Sequence, residues 1–308
     1  MGFCMESKKK ILLLANAVSG TKNAVSHLFT MVEELTKRNC LVTVYPVVPE
    51  HGLMSEDLAE FYKAGEFDVI ACCGGDGTLN HLINTMMRNE ICCPIGYIPT
   101  GSTNDFSRSM NQGKYLTLEE QCAAIANGKT LAYDIGKVND AYFNYITAFG
   151  AFTKVSYSTP QKLKNVLGYG AYMINLIGNL SEVITYRRHV RYEYDGGSGE
   201  GDFVFGAVCN TTSVAGVESP LVKHSSLSDG LFEVIMISAP NNIGEFNRIV
   251  QKMSTGDTDD KLLIKFTTKK VVFHFDKELN WTLDGEEYST ETDVVIENCP
   301  HAMKLCVL

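Results

Sequence analysis

The sequence lacks the charge balance of a nucleic-acid binder: 27 lysines and arginines face 36 aspartates and glutamates, a formal net charge of -9 at pH 7. That balance excludes broad electrostatic attraction to a phosphate backbone, so nucleic acid is not an expected partner. Prolines number only 8, and no internal repeat or low-complexity tract occurs, which leaves little room for disorder. No apolar run approaches the length of a membrane span. The run at 11–18 is too short and too interrupted for a secretory signal, and Glu6 stands where a myristoylation signal on Gly2 needs Ser or Thr. The 10 cysteines form no CxxC pair and the 7 histidines no HxxH or HxxxH pair, so reduced core thiols are expected and a transition-metal centre has no support.

What is present is a soluble, globular composition, 45% hydrophobic over 308 residues, enough for one large or two ordinary domains. The chain is organised around FDVIACCGGDGTLNHLIN at 67–84. Residues 67–73 are too few for a buried helix and read as a buried parallel strand. Leu79, Leu82, Ile83, Met86 and Met87 then recur on one face of a helix. Between them, Gly74, Gly75 and Gly77 allow positive φ and close approach of a ligand. The amides opening the helix suit an anion such as a phosphate. Asp76 would be repelled by that anion without a cation or a donated hydrogen bond, and reads as a metal or hydroxyl handle. Taken alone, the turn equally suits an ordinary βα connection in which Asp76 caps a helix.

The pattern before and after predicts strands at 11–16, 41–48 and 94–99, with helices between them, among them one near 56–63. This βαβαβαβ order implies a Rossmann-like, doubly wound and mostly parallel sheet covered on both faces. A second loop, PTGSTNDFSR at 99–108, follows a strand and should face the same crevice as the glycine turn. There Gly101 permits close approach, Ser102 and Thr103 offer hydroxyls, and Asn104 with Asp105 could cap a helix. Thr117 and Glu120 have capping-box spacing, in a helix ending near Gly128.

From about residue 130 short β-rich segments dominate: 131–138, 142–149, 189–194, 203–209, 231–237, 262–267, 271–275, 281–283, 294–297 and 303–308. They predict a β-sandwich second domain, dividing the chain into an α/β nucleotide-binding domain at 1–130 and a β-rich domain at 131–308. Helices at 161–183 and 243–253 interrupt it. The first has an apolar face broad enough to wall an apolar cavity, although packing as core explains it equally well. Lys162, Lys164, Arg187, Arg188 and Arg191 concentrate positive charge around it, which suits either anionic lipid headgroups or a solvated face.

GGDGTLN at 74–80, PTGSTNDFSR at 99–108, DIG at 134–136, Asp229-Gly230 and LDGE at 283–286 together resemble the diacylglycerol kinase catalytic-domain family, its soluble bacterial lipid kinases above all, along essentially the full length. The resemblance implies a nucleotide cleft between the α/β domain and the sandwich, and transfer of the γ-phosphoryl group of ATP to a lipid hydroxyl, with diacylglycerol as acceptor. It implies nucleotide contacts from Asn16, Ser19, Gly20, Thr43, the glycine turn with Thr78, and Thr100 to Asn104. Asp76, Asp105 and Asp134 would lie around Mg²⁺, with a further structural Mg²⁺ at Asp229 and the Leu231 carbonyl. Asp284, oriented by Glu286, would be the general base, although Asp-Gly is also a common hairpin turn. The partner implied is a lipid at the inner, cytoplasmic face of a membrane, met peripherally and without a span; a homodimer is left open.

Three residues depart from the family pattern: Ala17 where proline is usual, His81 where Glu follows the glycine turn, and Ser226 where Asp accompanies the structural Mg²⁺. Two other readings therefore stand beside the lipid kinase. One is a kinase with another lipid or a soluble acceptor, since NAD kinases and phosphofructokinases share the GGDG turn. The other is a lipid- or nucleotide-binding regulator without catalysis.

Overall fold

The computed structural model describes residues 7–16, 23–48, 51, 54–101, 104–111, 114–151, 186–211, 213–214, 217–218, 220–222 and 225–308. The helix expected at 161–183, with Lys162 and Lys164, lies outside them, as do Ala17, Ser19, Gly20, Ser102 and Thr103. The chain forms two compact units, one of Met1–Ser107, Lys114–Tyr133 and Ala302–Leu308, the other of Arg108–Gly113 and Asp134–His301.

The first unit is built on β1 (Lys9–Asn16), whose Ile11, Leu12, Leu13 and Leu14 are all buried, as a strand covered on both faces requires. Parallel neighbours are β2 (Cys40–Val47) on one side and β3 (Val69–Gly74) on the other, and β4 (Ile95–Pro99) pairs with β3. Helices α1 (Asn23–Lys37) and α5 (Leu118–Asn127) close one face, where Met31, Leu35, Cys122 and Ile125 join Ile11, Leu13, Val69, Ala71 and Cys73 in one core. Helix α3 (Asp76–Arg88) packs on β3 and buries Leu79, Leu82, Ile83 and Met86, the face its spacing predicted. A short helix α2 (Leu58–Phe61) precedes β3. The capping box of α5 forms as read, with Thr117 N donating to Glu120 Oε2 over 2.7 Å and Glu120 N to Thr117 Oγ1 over 3.2 Å. In the order β2-β1-β3-β4 the chain runs from β1 to β2 on one side and then crosses to β3 on the other. The reversal puts the carboxyl ends of β1 and β3 at the switch point, where open α/β sheets bind ligands.

The second unit is antiparallel and β-rich. After β5 (Thr130–Val138) come β6 (Ala141–Phe143), β7 (Ile146–Gly150), β8 (Arg188–Tyr194), β9 (Gly197–Cys209), a small pair β10 (Ser213–Val214) and β11 (Val217–Glu218), and β12 (Phe232–Ser238). Helix α6 (Ile243–Thr255) is followed by β13 (Leu263–Thr268), β14 (Lys270–Phe275), β15 (Leu279–Leu283), β16 (Glu286–Thr290) and β17 (Asp293–Cys306). β9 pairs with β8 along its first half and lies between β7 and β12 along its second. One core of rings results, with Phe149 5.0 Å from Phe275 and 4.9 Å from Trp281, and Phe273 5.6 Å from Trp281.

The structure corrects the expected strand outline in three places. The segments read at 294–297 and 303–308 are one strand, β17, whose Leu305 lies parallel to Ile95 of β4; the intervening Asn-Cys-Pro-His carries the chain through, with His301 at φ +55. The strand read at 142–149 breaks between Phe143 and Ile146, where backbone amides serve a side chain instead of a neighbour. The polar strand β16 was not foreseen.

Candidate active site

At the switch point β3 ends in Gly74, and α3 begins at Asp76 with Gly75 as its N-cap, in extended conformation and without a side-chain cap. Gly75 offers no side chain to the opening turn of α3, the kind of helix start that suits an anion. The glycines serve space and not left-handed backbone, since none of Gly74, Gly75 and Gly77 has positive φ. A Cβ on Gly74 would lie 2.6 Å from Thr78 Cβ, and one on Gly101 would lie 2.6 Å from the Cα of Gly75. The two loops thus cross backbone against backbone, tied by Thr100 N donating to Gly74 O over 2.9 Å. Asn16, at the end of β1, donates from Nδ2 to Thr78 Oγ1 over 2.7 Å.

Asp76 is buried, and its carboxylate reaches the start of α4 (Asp105–Met110): Oδ2 accepts from Asp105 N over 3.0 Å and Oδ1 from Phe106 N over 3.4 Å. It caps a helix, but the one that follows the second loop and not its own. Asp105 is buried beside it. Asn104, at φ +52, donates from Nδ2 to Gly101 O over 2.9 Å, and among the described residues its buried Oδ1 has no partner. The first unit therefore brings together Asn16, Gly74, Gly75, Asp76, Gly77, Thr78, Thr100, Gly101, Asn104 and Asp105. Thr43 is apart: it is exposed in mid-strand opposite Leu12, and the residue beside Asn16 is Val47.

These features fit a magnesium–nucleotide phosphate. A helix start without a side-chain cap suits an anion, a glycine crossing leaves a cradle that a Cβ would fill, and among the described residues Asn104 Oδ1 has no partner. No group of three or more metal-binding side chains occurs among the described residues. Asp76 and Asp105 alone suit Mg²⁺, a hard cation that keeps several of its waters.

The remaining predicted residues lie in the second unit. Asp134 is fully buried, with Oδ2 accepting from Gly230 N over 2.7 Å and Oδ1 from His301 N over 2.8 Å, so it fastens two segments together. Asp229 is exposed and accepts from Leu231 N over 3.0 Å, while Ser226 Oγ accepts from Ser228 N over 3.3 Å. Asp284 and Gly285, at φ +49 and +93, form the two-residue turn joining β15 to β16. The Asp284 carboxylate is buried: Oδ2 accepts from Asn144 N over 2.6 Å, and Oδ1 from Tyr145 N over 2.9 Å and Ile146 N over 3.1 Å. Glu286 points to solvent and, among the described residues, makes no hydrogen bond to Asp284. The amides of 144–146, and Tyr145 donating from its hydroxyl to Asp284 O over 3.0 Å, hold the turn instead.

Sequence reasoning missed Tyr97. Its hydroxyl is 3.4 Å from Asp76 Oδ1, and burial first, then the Asp76 charge, holds its pKa well above the usual range. The signal was a hydroxyl-bearing ring in an otherwise aliphatic strand, IGYIP. His81, the family departure, turns away from this site to pair with Glu56, Nδ1 to Oε1 2.9 Å. Seven of the nine described cysteines are buried thiols, with Cys92 exposed and Cys299 partly so, and burial pushes Cys73 up to about 12.

Residues 10–138 match the diacylglycerol kinase catalytic domain profile. Over 222 residues, 72% of each chain, the sequence is 35% identical to a diacylglycerol kinase of Bacillus subtilis. This chain belongs to the diacylglycerol kinase family. A diacylglycerol kinase of Staphylococcus aureus is 33% identical over 280 residues, 91% of this chain and 86% of that one. In fold, a diacylglycerol kinase crystal structure from Bacillus anthracis superposes with TM-score 0.74 over 98% of this chain and 97% of the other, at 21% identity. The family's catalytic-domain match spans both loops that cross at Gly75 and Gly101. No described helix is long and apolar enough to cross a membrane.

Proposed function

We propose that this diacylglycerol kinase family member transfers the γ-phosphoryl group of ATP to the free hydroxyl of a lipid, with diacylglycerol as acceptor and phosphatidic acid as product. The observation that carries the reading is the crossing of Gly75 on Gly101 at the uncapped start of α3, with Asp76 and Asp105 buried beside it. The names of the relatives, all diacylglycerol kinases, support the acceptor.

Phosphoryl transfer asks a protein chiefly to position two substrates and to neutralise charge on the phosphoryl oxygens. The amides of α3 and the Thr78 side chain, braced by Asn16, hold the phosphates. Asp76 and Asp105 would hold Mg²⁺ through its waters, and the cation would supply charge neutralisation there. Asp134 acts by fastening Gly230 and His301. Asp284 takes the proton of the lipid hydroxyl as that oxygen bonds to the γ-phosphorus, and the bond to the bridging oxygen breaks with its electron pair leaving on ADP. The three amides on its carboxylate keep its oxygens in one orientation. The protein would act in the cytoplasm and meet its lipid peripherally.

The test supplies purified protein with Mg-ATP and detergent micelles containing diacylglycerol, a sphingoid base or another hydroxyl lipid, alongside NAD as a soluble acceptor. Phosphatidic acid should be the main product. Faster labelling of NAD, or none of any lipid, overturns the proposal.

A further inference from the structure

Strand β4 needs an apolar residue at position 97, where the ring packs 6.1 Å from Phe106, which in turn packs 5.4 Å from Tyr133. Phenylalanine would fill that place. Tyrosine adds a hydroxyl that is buried with the ring, which is 4% exposed, and a buried hydroxyl without a partner is unfavourable. Its partner among the described residues is Asp76 Oδ1. The same oxygen accepts from the amide of Phe106, whose ring lies against Tyr97. One stack of side chains therefore delivers two donors to one oxygen of a buried carboxylate, while Oδ2 is met from the other side by Asp105 N.

Capping α4 does not require the hydroxyl, because the amides of Asp105 and Phe106 already meet the carboxylate. What the hydroxyl adds is direction. A carboxylate turning about its Cβ–Cγ bond changes the plane in which its two oxygens lie, and a cation held through water depends on that plane. The contact, at 3.4 Å, is long for a hydroxyl on a carboxylate.

We propose that Tyr97 is a positioning residue: its hydroxyl fixes the orientation of the Asp76 carboxylate, and through it the affinity of the site for the magnesium form of the nucleotide. The inference rests on the phosphate-transfer reading of this site, and it assigns Tyr97 no contact with nucleotide or lipid.

The experiment measures ADP affinity by calorimetry, with MgCl₂ and with a chelator, for the wild type, Tyr97→Phe, Asp76→Asn and the double variant. Tyr97→Phe keeps the ring and should melt close to the wild type. Its ADP affinity in Mg²⁺ should fall roughly tenfold, the scale of one hydrogen bond to a charged group, while affinity in chelator stays unchanged. In the Asp76→Asn background the same change should add little, because the two substitutions remove one interaction. A Tyr97→Phe protein with wild-type affinity in Mg²⁺ overturns the inference, and so does an equal loss with and without Mg²⁺, which would mark a purely structural hydroxyl. A wild-type protein that binds no ADP in Mg²⁺ overturns the phosphate-transfer reading itself, and the inference with it.

Discussion

The amide of Asn16 donates to the hydroxyl of Thr78 over 2.7 Å and so joins the end of β1 to the first turn of α3. The bond fixes the side-chain oxygen of a residue at the mouth of the proposed anion site. Asn16→Ala and Thr78→Val should each weaken ADP binding by roughly 1 kcal/mol, and the pair together by less than the sum. Calorimetric affinities of the single and double variants check this; strict additivity would show that the two side chains act separately.

Gly101 has no room for a side chain, since a Cβ would meet the Gly75 Cα at 2.6 Å, whereas a Cβ on Gly75 would meet Gly101 Cα at 3.2 Å. Backbone lies on both sides and neither can swing aside as a side chain could. Gly101→Ala should therefore cost about 1–3 kcal/mol and most of the nucleotide affinity, and Gly75→Ala less. Thermal melts with and without ADP are the measurement. A Gly101→Ala protein that melts and binds as the wild type would rule out the crossing as drawn.

Asp284 and Glu286 should separate cleanly. Asp284→Asn sets an NH₂ group against backbone donors that now face carboxylate oxygens, so both catalysis and stability should fall, the latter by about 1–3 kcal/mol. Glu286 is exposed and remote from those bonds, and Glu286→Gln should leave the melt unchanged and the rate within severalfold. Lipid-kinase rates beside melts decide it. If Glu286→Gln is as inactive as Asp284→Asn, Glu286 takes part in the reaction directly.

His189 links β8 to β9 through Asp202 Oδ1 at 3.0 Å and Glu200 Oε1 at 2.9 Å, and these bonds, Asp202 first, raise its pKa above 6.5. A raised folded-state pKa contributes stability that is complete below 6.5 and disappears as pH climbs through the folded value. His189→Gln should therefore lower the melting temperature in mildly acidic buffer and make no difference in alkaline buffer. The gap should also narrow in high salt, because the pair is exposed. A gap that widens with pH would reverse the assignment.

The first unit was largely legible because its signals are local. An apolar run such as Ile11–Leu14, a glycine turn and a spaced apolar face each reflect one element's own burial. What depends on pairing was not. Thr43 was placed at the site, but strand register decides which residue of β2 reaches the edge, and only the pairing of Asn16 with Val47 reveals it. β17 was read as two strands because the stretch Asn298–His301 breaks its apolar pattern, and β16 was overlooked because EEYST buries only Thr290. At the candidate site the glycines and Asp76 were found, but the task of Asp76 was not. That it caps α4, and that Asp284 gathers the amides of 144–146, are contacts across 29 and about 140 positions that no local spacing encodes.

Residues Ala302–Leu308 belong to the first unit although all of the second is synthesised before them. The part of the strand that lies beside β4 thus follows the whole of the second unit along the chain, with Leu305 opposite Ile95. While the second unit is being made, the first carries an open sheet edge and cannot close its core around Cys306. Completion of the sheet that carries the glycine turn thereby waits until the second unit has been made.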